Sequence, residues 1–482
     1  MISTRWFSRA IFFSLSLALL GAGCGGGSTA PPPPAGVPAP GGGTVVVVGQ
    51  DAPADNIVKF EVDLMSVVLN PGNVSVLPQP ERIELTSMQL EPELIRLAQG
   101  IPAGSYTSIT LTLANPEVKF CPDTIPPTVC TDANIQEVEP PLTNSSVTVN
   151  ISFSVVAGQV TGLVVDFDLA ASLVTDPITE AITGVDPAAV GAVTVTLLDI
   201  TGVQDELEDI TGRVVSLNRT SSTSGTFVFE AFSSCDQITV TVDADTEFED
   251  FDEANPPLAN TFDGVQANQI VEVDIDIEGD GGMVAEKVEL EDELDDDDFE
   301  GLIIETTRDG ADRVTEFVMV LLEEPPCIAS VPATDLITVT VPTDGSVIWR
   351  IDDDDFIVAA TRFDEPAELE IGQKVDVDPV EDVTTATTAI TAEKIKLEDQ
   401  TIRGTVVTGS IVTPNFELDP NAALFPDQSI EVETVTGQTR FDDLPNGVAS
   451  LTNNQAVRVK GLLFRLSAGV QQFFAKRVDG TP

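Results

Sequence analysis

In a chain of 482 residues, 42% hydrophobic but only 5% aromatic, β-branched Val, Ile and Thr carry the pattern, which points to strands in several domains of about 100–150 residues. The net charge of −56, from 79 acidic and 23 basic residues, sets the surface against phosphate backbones and excludes nucleic acid as a partner. With no histidine in the chain, histidine acid–base catalysis, histidine metal ligands and Ser–His or Cys–His nucleophiles are excluded.

Arg5 and Arg9 flank the start of an apolar run, Ala10–Leu20, which has the length of a signal-peptide core and is too short to span a bilayer. Gly21-Ala22-Gly23-Cys24 follows and resembles the bacterial lipobox, with Gly21 where Leu is usual. The resemblance implies cleavage before Cys24, acylation of its thiol and amine (palmitate among the chains), and a membrane contact through that lipid anchor only. Gly25, where Asp would retain the protein at the inner membrane, implies an outer-membrane lipoprotein, periplasmic or surface-exposed. The plainer alternative is a secretory signal beside a chance cysteine. Residues 25–43 are Gly- and Pro-rich and read as a tether.

The stretch 44–199 reads as an antiparallel β-sandwich. Val45–Val48 is a buried-type strand, and Val58–Leu69 alternates with Phe60, Val62 and Leu64 on one face. Ile101–Thr107 turns into the strand Ile109–Leu113, and Val147–Val155, Gly162–Leu169 and Val193–Leu197 complete the set. The first strand with Asp51-Ala52-Pro53-Ala54-Asp55, then IPAGSYTSITL at Ile101–Leu111 and LVVDFDL at Leu163–Leu169, resemble an uncharacterised domain of bacterial envelope lipoproteins. That resemblance implies a prealbumin-like sandwich and carries over no functional residues. Asp166 and Asp168 flank an inward Phe167, and solvated strand-end carboxylates are a plainer reading than a cation site.

Three units then overlay, at 209–292, 299–399 and 402–480. They open on Ile210–Val215, Phe299–Ile304 and Ile402–Val407, and continue with QITVTV, LITVTV and SIEVET strands. A Thr-x-Phe follows at Thr246/Phe248, Thr361/Phe363 and Thr439/Phe441. Next comes Gly or Asn, then Gln269, Gln373 or Gln455, then alternating Val. AEKVELED (Ala285–Asp292), AEKIKLED (Ala392–Asp399) and AKRVDG (Ala475–Gly480) close the units. Six short strands per unit suggest a small barrel without free edges. The pattern resembles a second uncharacterised family, found as tandem copies in bacterial surface lipoproteins, whose implied fold is an OB-like barrel without known active residues. The fold class is therefore all-β: a sandwich followed by three tandem small barrels.

Cys24 aside, four cysteines remain in an oxidising compartment. Cys121 and Cys130 bracket a Pro-rich loop that a local disulfide would staple, and Cys235 and Cys327 precede equivalent strands of successive barrels. Clustered carboxylates suit Ca²⁺, so Asp295, Asp296, Asp297, Asp298, Asp352, Asp353, Asp354 and Asp355 are candidate ligands, and calcium is the one cofactor considered. Solvated, self-repelling hinges explain the same runs more simply. Trp349 lies in an alternating segment, which reads as a strand rather than a sugar platform.

None of this encodes a reaction. The expectation is a lipid-anchored envelope protein, not an enzyme, with a structural or binding (adhesion-like) role toward an envelope polysaccharide or a surface protein. Two alternatives stand beside it: a carboxylate-pair polysaccharide hydrolase and a calcium-dependent assembly module.

Overall fold

The computed structural model describes residues 42–480 except 53–55, 87, 89–92, 122–129, 132, 177–180, 199–205, 233–235, 252–256, 278–281, 293–298, 323–334, 352–362, 381–386, 421–424, 426–428 and 467–469. Short alternating strands account for most of it. The N-terminal part comprises β1 (Gly42–Ala52), β2 (Ile57–Asn70), β3 (Val74–Ser75), β4 (Glu81–Glu84), β5 (Glu93–Pro102), β6 (Gly104–Phe120), β7 (Gln136–Val138), β8 (Ser146–Val155) and β9 (Val160–Asp168). A single helical turn, α1 (Leu169–Ser172), leads to the hairpin β10 (Leu173–Thr175) and β11 (Ile182–Val185), and β12 (Val193–Leu197) ends the unit.

Two sheets face each other. One has the order β12-β9-β1-β5; in the other, β2 pairs with β6, β3 and β4 lie against β2, and β7 and β8 lie against β6. Their inward rows, including Phe60, Val62, Leu64, Ile109, Leu111, Val45, Val47 and Phe167, form one core. The sandwich is not wholly antiparallel, because β1 runs parallel to β9 through nine residue pairs. The apolar run explains how that pairing is accommodated: Val45–Val48 are all fully buried, as expected for a strand covered on both faces. Val45 and Val47 face the sandwich core, while Val46 and Val48 join Leu94, Leu97 and Val164 in a cluster with the first barrel.

The first barrel contains β13 (Glu206–Ser221), β14 (Ser224–Ala231), β15 (Gln237–Val242), β16 (Glu247–Glu249), β17 (Ile270–Ile277) and β18 (Met283–Asp292). The second contains β19 (Gly301–Arg308), β20 (Val314–Leu321), β21 (Leu336–Thr340), β22 (Ile348–Ile351), β23 (Lys374–Pro379) and β24 (Ala389–Glu398). The third contains β25 (Gln400–Val406), β26 (Asn415–Pro420), β27 (Ile430–Thr434), β28 (Arg440–Asp442), β29 (Ala456–Arg465) and β30 (Gln471–Asp479). All three share one strand order, in which the third strand pairs in parallel with the last and closes a five-stranded ring. The short fourth strand continues along the same edge of the last strand. This is the five-stranded Greek-key closure expected of an OB-like barrel.

The recurring closing stretch is the last strand of each ring. Ala285 and Val288, Ala392 and Ile395, and Ala475 and Val478 all point into the barrels, each at most 1% exposed. One equivalence drawn from the sequence changes. Phe248 pairs with Val288 and Phe441 with Val478, but the residue paired with Ile395 is Trp349, not Phe363. Phe363 packs edge-on against Trp349 instead, with ring centroids 5.2 Å apart. Thr361 lies outside the described residues.

Candidate functional site

A dense meeting of charges lies where the sandwich touches the second barrel. Register puts like charges opposite one another there, Lys59 against Lys119 and Glu61 against Glu117 on β2 and β6. Such pairs weaken a sheet unless counter-charges intervene. Lys59 and Lys119 are moreover only 2% and 4% exposed. The second barrel supplies the anion. Asp335, at the entry to β21, has Oδ1 3.4 Å from Lys59 Nζ, and its Oδ2 pairs with Lys119 Nζ.

The remaining charges alternate around this centre. Lys59 Nζ is 3.5 Å from Glu61, and Lys119 Nζ is 3.1 Å from Glu117 and 3.0 Å from Glu137 on β7. Arg82 on β4 reaches Glu61 at 3.7 Å, Glu117 at 3.3 Å and Asp63 at 3.1 Å. Burial pushes the Asp335 carboxyl up, but the two lysines outweigh it and hold the group below the usual range. Burial pushes Lys119 down, and Asp335, Glu137 and Glu117 more than compensate, holding its ammonium well above the ordinary value.

An apolar patch adjoins the charges. Val58, Cys121 and Cys130 of the sandwich cluster with Ile304 and Val320 of the second barrel. Cys121 and Cys130 form the disulfide expected from their spacing, with Cα atoms 5.6 Å apart. Both are buried at this contact, so the bridge forms part of a docking surface.

Carboxylate oxygens of Glu61, Glu117 and Asp335 lie within 4.8 Å of one another, close enough to share a metal ion. Three oxygens fall short of the six to eight that Ca²⁺ takes, and two ammonium groups already sit on these carboxylates. Any divalent cation would have to displace them.

Two further junctions use the same means. Between the sandwich and the first barrel, Arg96 Nη1 is 3.3 Å from Glu81 and 2.9 Å from Asp236, while the Leu97 N–H donates to Asp236 at 2.8 Å. Burial, reinforced by Asp236 and opposed by Arg96, pushes Glu81 up to about 7. Between the second and third barrels, Arg465 reaches Glu370 at 2.7 Å and Asp312 at 3.0 Å. Leu462, Phe464 and Phe474 of the third barrel complete the core of the second.

Of the candidate site residues from the sequence, Cys121 and Cys130 are the pair brought together among the described residues. Cys24, Cys235, Cys327, Asp295, Asp296, Asp297, Asp298, Asp352, Asp353, Asp354 and Asp355 lie outside the described residues. Asp168 caps α1 by accepting the Ala171 N–H at 2.8 Å, and half-buried Asp166 feels Arg458 of the third barrel, so neither is merely a solvated strand end. Lys59, Lys119, Asp335, Arg96 and Asp236 were missed. A signal existed in the scarcity of basic residues, 23 against 79 acids, which makes each apolar-flanked lysine a focus for several carboxylates.

Residues 42–182 match the family model described as Domain of unknown function (DUF4382). Residues 211–289, within the first barrel, match a second, Domain of unknown function (DUF5666). No curated protein matches the chain.

Proposed function

We propose that this chain is a lipid-anchored envelope protein with a non-enzymatic structural or binding role, presenting a sandwich and three docked barrels as one body. The observation that carries this reading is the use of its charged clusters. At each junction described above, carboxylates are spent on holding lysines and arginines across a contact between units. A general acid needs a raised pKa and access to substrate, whereas Asp335 is held ionised between two buried lysines, and Glu81, raised to about 7, is largely buried against Arg96. The lipobox resemblance at Cys24 supports the anchor, and the compositional bias against phosphate supports an envelope polymer or surface protein as partner.

The test has two arms. In a bacterial host, the chain should fractionate with membranes and carry a diacyl mass on Cys24, and Cys24→Ser should release it. Array binding to envelope polysaccharides and surface proteins, with and without calcium, should then show retention of one class without turnover. A soluble unmodified chain would sink the anchor, and cleavage of an array glycan would sink the non-enzymatic role.

A further inference from the structure

The six-stranded sheet of the sandwich ends on β8, a ten-residue edge twice as long as β12 (VTVTL), the likewise uncharged edge of the facing sheet. The β8 sequence, SVTVNISFSV, has no charge and no proline. Those are the usual devices that keep an exposed edge from pairing. The strand β4 is protected by Glu81, Arg82 and Glu84, and β5 donates its Leu97 N–H to Asp236 of the first barrel. On one side β8 pairs with β6. Among the described residues, no backbone–backbone hydrogen bond reaches its other side, and near its C-terminal end the Thr161 hydroxyl of β9 donates to Ser154 O at 3.4 Å.

The strand is firmly held for such a role. Phe153 and Val155 are buried, and Phe153 stacks on Tyr106 with ring centroids 5.5 Å apart. Ser146, Thr148, Asn150, Ser152 and Ser154 alternate with them and are exposed. The outward residues of β6 beside them, such as Ser105 and Thr110, are uncharged as well.

We propose that β8 pairs antiparallel with β8 of a second copy of this chain, joining two sandwiches through one continuous sheet. Two features select a second copy over another strand. In a chain of net charge −56, two copies repel across most of their surfaces, and this edge lets them meet without opposing carboxylates. The alternation is also self-complementary. About a twofold axis at Asn150, Thr148 faces Ser152 of the other copy, Val149 faces Ile151, Val147 faces Phe153, and Asn150 faces itself. Apolar residues stay on the core side and hydroxyls on the outer side, so cross-strand Thr–Ser pairs form as in any antiparallel sheet.

Sedimentation velocity of the full chain in mild detergent tests this. The expected result is a concentration-dependent dimer. Thr148→Lys with Ser152→Lys sets like charges opposite each other and should weaken it by about tenfold or more, while Thr148→Lys with Ser152→Glu should restore it. Asn150→Cys, a surface change that leaves folding alone, should cross-link the two copies at residue 150 under oxidation. A chain monomeric at every concentration overturns the proposal and leaves the edge to a strand of a different protein. A dimer indifferent to the lysine pair, or one without the residue-150 cross-link, overturns it too.

Discussion

Gln269, Gln373 and Gln455 show how a repeated letter becomes a repeated hydrogen bond. Each side-chain oxygen accepts a backbone N–H three residues earlier, from Gln266, Glu370 and Thr452, at 2.5, 2.6 and 2.9 Å. The residue before each, Asn268, Gly372 or Asn454, has positive φ, which explains the Gly-or-Asn preference there. Gln373 does more than cap the turn: it is fully buried, and its Nε2 donates to Glu368 O at 3.1 Å and across the barrel contact to Leu463 O at 3.0 Å. Gln373→Ala should therefore cost about 2–3 kcal/mol, since it strands buried backbone groups at both ends, and urea denaturation would measure the loss. A change no larger than that of Gln79→Ala at an exposed position would show that the bridge to the third barrel carries no weight.

At the scale of elements, the closing strand of each barrel displays one side to the core and the other to a charge ladder. On β17 and β18, Lys287 sits 2.8 Å from Glu289 and opposite Asp274. On β23 and β24 the ladder pairs Asp378 with Lys394 at 3.4 Å, and on β29 and β30 Arg458 with Asp479 at 2.8 Å. The closing strands thus alternate apolar residues with charged ones that meet opposite charges on the neighbouring strand. The contact between β4, β5 and the first barrel carries a different charge balance, because Glu81 and Asp236 share one guanidinium. Glu81 has a pKa raised from 4.5 to about 7 in the folded protein, chiefly by burial. A raised carboxyl means the folded state holds the proton more tightly than the unfolded chain. Its contribution is full below the unfolded value and is lost as pH climbs from about 4.5 through about 7. The melting temperature should fall between about pH 4.5 and pH 7, and Glu81→Gln should flatten that slope; an unchanged slope in the variant would assign the effect to other groups.

At the scale of the whole molecule, the units are not strung out as separate beads. The described residues belong to one compact unit spanning Pro38–Pro482. The sandwich meets the first barrel at Asp236, the second at Asp335, and lies within electrostatic reach of Arg458 in the third. Asp335→Asn would remove the one anion that both Lys59 and Lys119 share, leaving Glu61, Glu117 and Glu137 as their counter-charges. It should cost about 2–3 kcal/mol, less than the about 3–5 of a fully buried pair because Asp335 keeps some exposure. Hydrogen exchange should then quicken in β6, β7 and β21 together; quickening confined to β21 would mean that the sandwich and the second barrel do not depend on each other.

Period-two alternation was readable directly, because successive strand side chains must point to opposite faces. It placed β2, β8, β12 and the closing strand of every barrel, and the recurring Gly-or-Asn before Gln marked a backbone turn that few other residues can make. The same alternation could not say what lies against a face. Val46 and Val48 look like any buried valines, and only the fold shows that they cover the first barrel while Val45 and Val47 fill the sandwich. Nor could local pattern distinguish Phe363 from Trp349 as the partner of Ile395, since equivalence there follows strand register rather than spacing. The charged junction was the least legible feature of all. Lys119 and Asp335 are more than two hundred positions apart, and their attraction acts through space that exists only after both strands have docked. What the chain encoded locally was its strands and their repetition; tertiary packing alone decided which of its scarce cations would hold them together.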